Sequence, residues 1–168
     1  MLFRSGKTTF VNAILDALAQ LREDDRVLIL EDTVELQCKM PNVFEMRTDA
    51  KSNTTMQKLV KASLRLRPDR IIVGEVRGGE ALDLLKSWNT GHPGGICTVH
   101  ANSARSSLIR MEQLISEVSK TPMKDLIGEA LDVVVFLKRV AQIGPIVAEI
   151  VEVSGVQDGE YVCKSIST

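Results

Sequence analysis

Between Lys7 and Leu21 the apolar residues fall at Phe10, Val11, Ile14, Leu15, Leu18 and Leu21, a spacing that lines them along one side of an α-helix. Arg26 to Glu31 (RVLILE) is an unbroken apolar run of strand length, and Val43 to Arg47 predicts a further strand. Thr54 to Leu66 is amphipathic with a helical period and is stopped by Pro68. Arg70 to Gly74 (RIIVG) is β-branched and apolar, as a parallel strand covered on both faces should be. Helical patterns at Gly79 to Trp88 and Ser103 to Val118 flank a short strand at Gly95 to Val99. In the second of these helices Leu108, Met111, Leu114 and Ile115 share a face. A shorter helix is predicted at Pro122 to Ala130. Strands follow at Val133 to Leu137, Ile146 to Val153 and Glu160 to Lys164, the last two joined by a hairpin turn at Asp158-Gly159.

Alternating helices and strands imply an α/β layer structure: a mainly parallel sheet flanked by helices, which the last strands are expected to extend antiparallel at one edge. No internal repeat or low-complexity linker interrupts it. In such sheets ligands bind beyond the carboxyl ends of the strands, so residues carrying chemistry should follow strands directly.

Composition narrows the partners. A formal net charge of -1 argues against a bulk or sequence-specific nucleic-acid binder, whose footprint is basic. With 4% aromatic residues, a base-stacking platform is also excluded as the main feature. Cys38, Cys97 and Cys163 are widely spaced and lack a C-x-x-C pair, which reads as reduced thiols rather than a zinc site. No apolar run has the length of a transmembrane helix.

The chemistry begins at the first helix. Ser5-Gly6-Lys7-Thr8-Thr9 matches the second half of G-x-x-x-x-G-K-[ST]. Amide N–H groups and the helix dipole favour an anion there. Gly6 lets the backbone approach it, Lys7 can reach the β- and γ-phosphates, and the Thr8 hydroxyl can ligate Mg²⁺. The first glycine of the pattern would fall at Met1, followed by Leu2, Phe3 and Arg4, and the strand that should feed the loop is not present. The expectation is a chain that starts inside the phosphate loop.

Two acids follow two strands: Glu31, with Asp32, after RVLIL, and Glu75 after RIIVG. One can hold or polarise a water while the other acts as base or binds Mg²⁺ through water. Gly74 stands where a Walker B strand usually has aspartate. Glu35 is read as a solvated or helix-dipole residue. The two histidines bracket the GICTV strand; His100 follows it and can sense a γ-phosphate, whereas His92 precedes it and reads as structural. Of Arg65, Arg67, Arg70 and Arg77, Arg77 is the first candidate for an arginine finger because it lies two residues past Glu75, and Arg67 is the second.

In order along the chain, SGKTT, RVLILEDTVELQ, LRLRPDRIIVGEVRGGEALDLL and GHPGGICTVHANSA resemble the Walker A, Asp box, Walker B and His box of the type II/type IV secretion traffic ATPases. The resemblance covers nearly the whole chain. The glycine-proline-glycine His box and Gly78 after Arg77 resemble the conjugal-transfer and type IV secretion branch, and the tetracysteine insertion of many type II members is absent. The resemblance implies a RecA-like P-loop NTPase core in one domain, with ATP and Mg²⁺ as cofactors. It implies phosphate binding by Ser5, Gly6, Lys7, Thr8 and Thr9, with Mg²⁺ at Thr8. Glu31 and Glu75 would serve hydrolysis, and His100 would lie near the γ-phosphate. It also implies a homo-oligomer, expected to be a hexamer, in the cytoplasm and held at the inner membrane by secretion or conjugation components. Members carry a further N-terminal domain that this chain does not include. Two alternatives stay open: a non-catalytic module that only packs within a ring, and a pilus or type II secretion ATPase.

Overall fold

Four aliphatic segments build the centre of the protein. In the computed structural model, which describes residues 6–166, they are β1 (Val27–Glu31), β2 (Val43–Arg47), β3 (Arg70–Val73) and β4 (Ile96–Cys97). All pairings are parallel, in the order β2-β1-β3-β4. Every residue of β1 is buried, which is why RVLILE shows no alternation: both of its faces are covered. On one face Val27, Ile29 and Ile72 pack with Val11 and Leu15 of α1 (Lys7–Leu21), together with Leu36 and Met40. The other face is covered by α2 (Met56–Ser63), α3 (Glu80–Asn89), α4 (Ala104–Ser116) and α5 (Lys124–Ala130). Leu108, Met111, Leu114 and Ile115 of α4 are all buried there, as their shared face predicts.

The helix expected over Thr54 to Leu66 is divided. Thr55 caps α2, its side chain accepting the Lys58 N–H at 3.3 Å. The chain then tightens into a 3-10 turn at Leu64–Leu66. Arg67 ends it in the left-handed region at φ 51°, a common helix stop, and Pro68 follows, which cannot continue a helix.

The C-terminal strands are antiparallel, as the sequence indicates, but among the described residues they form a sheet of their own rather than an extension of the parallel one. β5 (Val133–Val140), β6 (Gly144–Gln157) and β7 (Glu160–Ser165) form a second sheet of order β5-β6-β7. Asp158 and Gly159 both take positive φ, the geometry of a tight two-residue hairpin turn. Among the described residues, the outer edge of β4 and the outer edge of β5 pair with no strand.

Candidate functional site

Gly6 sets the entrance to α1. Its φ is 85°, and a Cβ there would come within 2.5 Å of Pro145 Cβ, so both the torsion and the space require glycine. The helix start has no side-chain cap and no acid in its first turn. Its N–H groups and positive dipole end are therefore not answered by any anion of the helix itself.

Lys7, the first residue of α1, places Nζ 3.0 Å from His100 Nδ1, just past β4. Ammonium groups only donate, so Nδ1 accepts and the proton sits on Nε2. Nε2 lies 2.7 Å from Glu75 Oε1. Desolvation lowers the Lys7 pKa from its ordinary value; the Glu75 charge opposes that fall and Arg77 adds to it. Glu75 follows β3 on a segment fixed by the Val76 N–H donating to the Thr98 carbonyl at 2.9 Å and by Thr98 Oγ1 donating to the Gly74 carbonyl at 2.6 Å. Its Oε2 is held by both Arg77 Nε, at 2.8 Å, and the terminal Arg77 amine. Its Oε1 is buried and has no aligned hydrogen bond, so a lone pair stays available beside His100.

Arg77 also donates to Asp32 Oδ2 at 3.2 Å, and the hydrogen bond and charge of Glu75 raise its pKa. The guanidinium is thus held by two carboxylates of its own chain. Glu80 accepts the N–H groups of Arg77 and Gly78 at 2.7 and 2.9 Å and fixes the approach to α3.

Glu31 and Glu35 differ in burial and in partners. Glu31 is only 4% exposed, and its Oε1 accepts the N–H groups of Glu35 at 3.0 Å and Leu36 at 2.9 Å. Burial raises its pKa, against the lowering effect of those two bonds. Glu35, read as a solvated or helix-dipole residue, accepts the Thr8 hydroxyl at 2.8 Å. Asn12 ties the same loop to α1: its Nδ2 donates to the Glu35 carbonyl at 3.3 Å and its Oδ1 accepts the Gln37 N–H at 2.9 Å. The signal for Asn12 was its position one helical turn after Thr8, on the same face. Gly74 has a steric reason, since a Cβ there would lie 3.1 Å from Glu31 Cγ.

Gly6, Lys7, Thr8, Thr9, Glu31, Glu75, Arg77 and His100 of the expected set all line one cavity of about 540 Å³, together with Asp32 and Glu35. Ser5 lies outside the described residues. His92 is elsewhere, bonded through Nδ1 to the Pro68 carbonyl at 2.8 Å. Arg70 pairs with Asp25 at 2.6 Å and with the Gly94 carbonyl at 2.9 Å, a structural clamp at the opposite ends of the strands. Arg67 is exposed at its turn.

In the cavity, carboxylates outnumber the cations Lys7 and Arg77. A polyphosphate alone would meet repulsion from them; a divalent cation bound with it would offset part of that repulsion. The Thr8 hydroxyl and the Glu35 carboxylate, already in contact, suit a hydrated hard cation that takes oxygen ligands and keeps several waters.

Comparison with known proteins identifies the family. Residues 4–163 match the family model described as type II/IV secretion system protein. A probable conjugal transfer protein TrbB of Sinorhizobium fredii is 47% identical over 161 residues, covering 96% of this chain and 49% of the relative. The type IV secretion system protein VirB11 of Bartonella henselae is 32% identical, covering 81% of this chain and 40% of the relative. The crystal structure of the VirB11 ATPase from Brucella suis, in complex with sulphate, superposes with a TM-score of 0.75 at 28% identity, over 88% of this chain and 45% of that one. The pilus retraction motor PilT shares the fold, with a TM-score of 0.67 at 21% identity, over 98% of this chain and 45% of that one. The chain thus spans about half the length of the curated relatives it matches.

Proposed function

This chain belongs to the type II/IV secretion system protein family, and from that premise we propose that it is the ATP-hydrolysing part of a motor subunit for type IV secretion or conjugal transfer. The observation that carries the reading is convergence. The start of α1, the segment after β3 and the segment after β4 bring Lys7, Glu75 and His100 into one contact chain at the carboxyl ends of parallel strands. The sulphate in the Brucella suis VirB11 structure supports an anion site on this fold.

Each residue has a role in this reading. The amides of Gly6 to Thr9 and the Lys7 ammonium bind the β- and γ-phosphates, exchanging the His100 contact for phosphate oxygens. Thr8 and Glu35 hold Mg²⁺, directly or through water; when bound, the ion neutralises charge on the phosphates. Glu75, its Oε1 beside His100 Nε2, orients the attacking water and takes its proton. His100 keeps its Nε2–H toward Glu75 and reports phosphate occupancy through Nδ1. Glu31 serves hydrolysis by holding the loop that carries Glu35. Arg77 compensates Glu75 within the chain and is released toward transferring charge when phosphate competes for its carboxylates.

The assembly is a homo-oligomeric ring, taken as a hexamer, acting in the cytoplasm. No helix among the described residues is long and apolar enough to cross a membrane, so attachment to the inner membrane is assigned to secretion or conjugation partners. The test is binding of a fluorescent ATP analogue with Mg²⁺, together with hydrolysis by this chain and by a version carrying a glycine-rich loop ahead of Gly6. Lys7→Ala should abolish both signals while the circular dichroism melt is retained. Turnover in neither form would leave a non-catalytic ring module, and undiminished binding by Lys7→Ala would remove the phosphate assignment.

A further inference from the structure

Three polar residues of α1, Thr8, Asn12 and Asp16, stand one turn apart along one side of the helix. Each meets the segment that leaves β1. The Thr8 hydroxyl donates to Glu35, Asn12 bonds to the backbone of Glu35 and Gln37, and Asp16 pairs with Lys39 at 2.9 Å. The partner thus advances two residues for every four of the helix. Four helical residues rise about 6 Å and two extended residues about 6.6 Å, so the two chains keep step over the whole contact. The intervening residues Leu36, Cys38 and Met40 pack instead in the core with Val27 and Ile29. That alternation is the period of an extended chain, with its odd positions given to α1.

The three contacts are unequal. Asp16 and Lys39 are exposed, so water and salt screen their attraction. Asn12 makes two bonds, and its partners allow one orientation of the amide: the Gln37 N–H needs the oxygen and the Glu35 carbonyl needs the nitrogen. Asparagine is a weaker helix former than alanine, and here, inside α1, its side chain bonds outside the helix. The consequence falls on Glu35. Its N–H is held by Glu31 at 3.0 Å and its carbonyl by Asn12 at 3.3 Å. With both backbone polar groups fixed, the direction of the side chain toward Thr8 is fixed as well.

We propose that Asn12 is a positioning residue for the reaction: it straps the segment after β1 to α1 and so keeps the Glu35 carboxylate on the Thr8 hydroxyl. The helix that bears Lys7 then also carries the acid, and the two groups assigned to Mg²⁺ approach the phosphates as one unit. Asn12 does this through the backbone of residues 35 and 37 and needs no contact with nucleotide or metal. The functional half of the inference rests on the ATPase reading and on the assignment of Thr8 and Glu35 to Mg²⁺. The structural half, that Asn12 sets the position of Glu35, is tested in the free protein and does not depend on that reading.

Three variants make the test. Asn12→Ala removes both bonds, Asn12→Asp keeps an acceptor for the Gln37 N–H but turns an oxygen toward the Glu35 carbonyl, and Lys39→Ala removes only the exposed ion pair. Amide exchange is followed by NMR without nucleotide. In Asn12→Ala the amides of both Glu35 and Gln37 should exchange about tenfold or more faster, because the segment opens as a unit. Asn12→Asp should accelerate Glu35 more than Gln37, and Lys39→Ala should leave both near wild type. A fluorescent ATP analogue is then titrated with and without Mg²⁺. The tightening that Mg²⁺ brings should fall about fivefold or more in Asn12→Ala, while affinity without Mg²⁺ stays within about twofold. Acceleration confined to Gln37 would overturn the proposal, since Glu35 would then be held without Asn12. Equal loss of affinity with and without Mg²⁺ would reduce Asn12 to a support of the helix, and an unchanged Mg²⁺ effect would refute its part in the reaction. Wild type that binds no nucleotide in either condition would instead remove the ATPase reading and the functional half with it, and the exchange of Glu35 would still decide the structural half.

Discussion

Substituting Glu31 separates a group that reacts from one that shapes the loop around the reaction. Its Oε1 holds the N–H groups of Glu35 and Leu36. In Glu31→Ala both donors lose their acceptor. Glu35 is exposed and recovers water, but Leu36 is buried at 4% exposure and its N–H has no substitute. An unsatisfied buried donor costs ~1–3 kcal/mol, and relief of the buried charge offsets part of it, leaving a net loss of about 2 kcal/mol. For a chain of 168 residues that is a fall in Tm of about 4–8 °C. Glu31→Gln keeps a carbonyl oxygen for the same two bonds and removes the charge, so its stability should stay within about 1 kcal/mol of wild type. If Glu31 holds the loop, Glu31→Gln keeps turnover within about fivefold, under 1 kcal/mol of barrier, whereas Glu31→Ala loses Mg²⁺-dependent affinity along with stability. The assays are urea melts, titration of the fluorescent nucleotide with and without Mg²⁺, and phosphate release. A drop of ~10²-fold or more in turnover for Glu31→Gln, at unchanged Tm and nucleotide affinity, is the size of a lost general base and would refute the loop role.

Glu75→Gln should lower hydrolysis by ~10²–10⁴-fold with nucleotide affinity retained; turnover near wild type would take the base assignment away from Glu75. Stability should also depend on pH through Glu31. Its folded pKa is raised, so the folded state binds the extra proton in the window above the ordinary value of 4.5. The penalty for the buried charge is absent below that value and grows as pH rises through the raised one. Wild type should therefore lose stability relative to Glu31→Gln as pH rises from 4.5 toward neutral, measured by paired urea melts; a gap of the opposite slope would contradict the burial assignment. Thr55→Ala removes the cap of α2, which does not line the phosphate cavity, and should cost ~1 kcal/mol with nucleotide binding untouched. A melt unchanged within error would show that the Lys58 N–H finds water instead.

The parallel core was legible because two periods carry it. The apolar spacing over Lys7 to Leu21 gave α1 its full extent, and the runs in β1 and β3 required cover on both faces. Placement of the last strands was not legible. A strand's pattern states that it has a buried face but not which edge it joins, and among the described residues β5 pairs with β6 rather than with the parallel sheet. The acids show the same limit at finer scale. Period-two alternation puts Glu31 on the face of Val27 and Ile29, beneath α1, so its direction could be read from the strand. The sequence does not show that the chain then turns back over the carboxylate as Leu36 and Met40 enter the same core. That return delivers two backbone N–H groups to Glu31 and carries Glu35 outward to Thr8. Burial of two apolar side chains beyond the strand thus decides which carboxylate reaches Thr8. A Leu36→Ala chain that loosens this anchor should lose Mg²⁺-dependent nucleotide affinity although residue 36 makes no contact with Thr8 or Lys7.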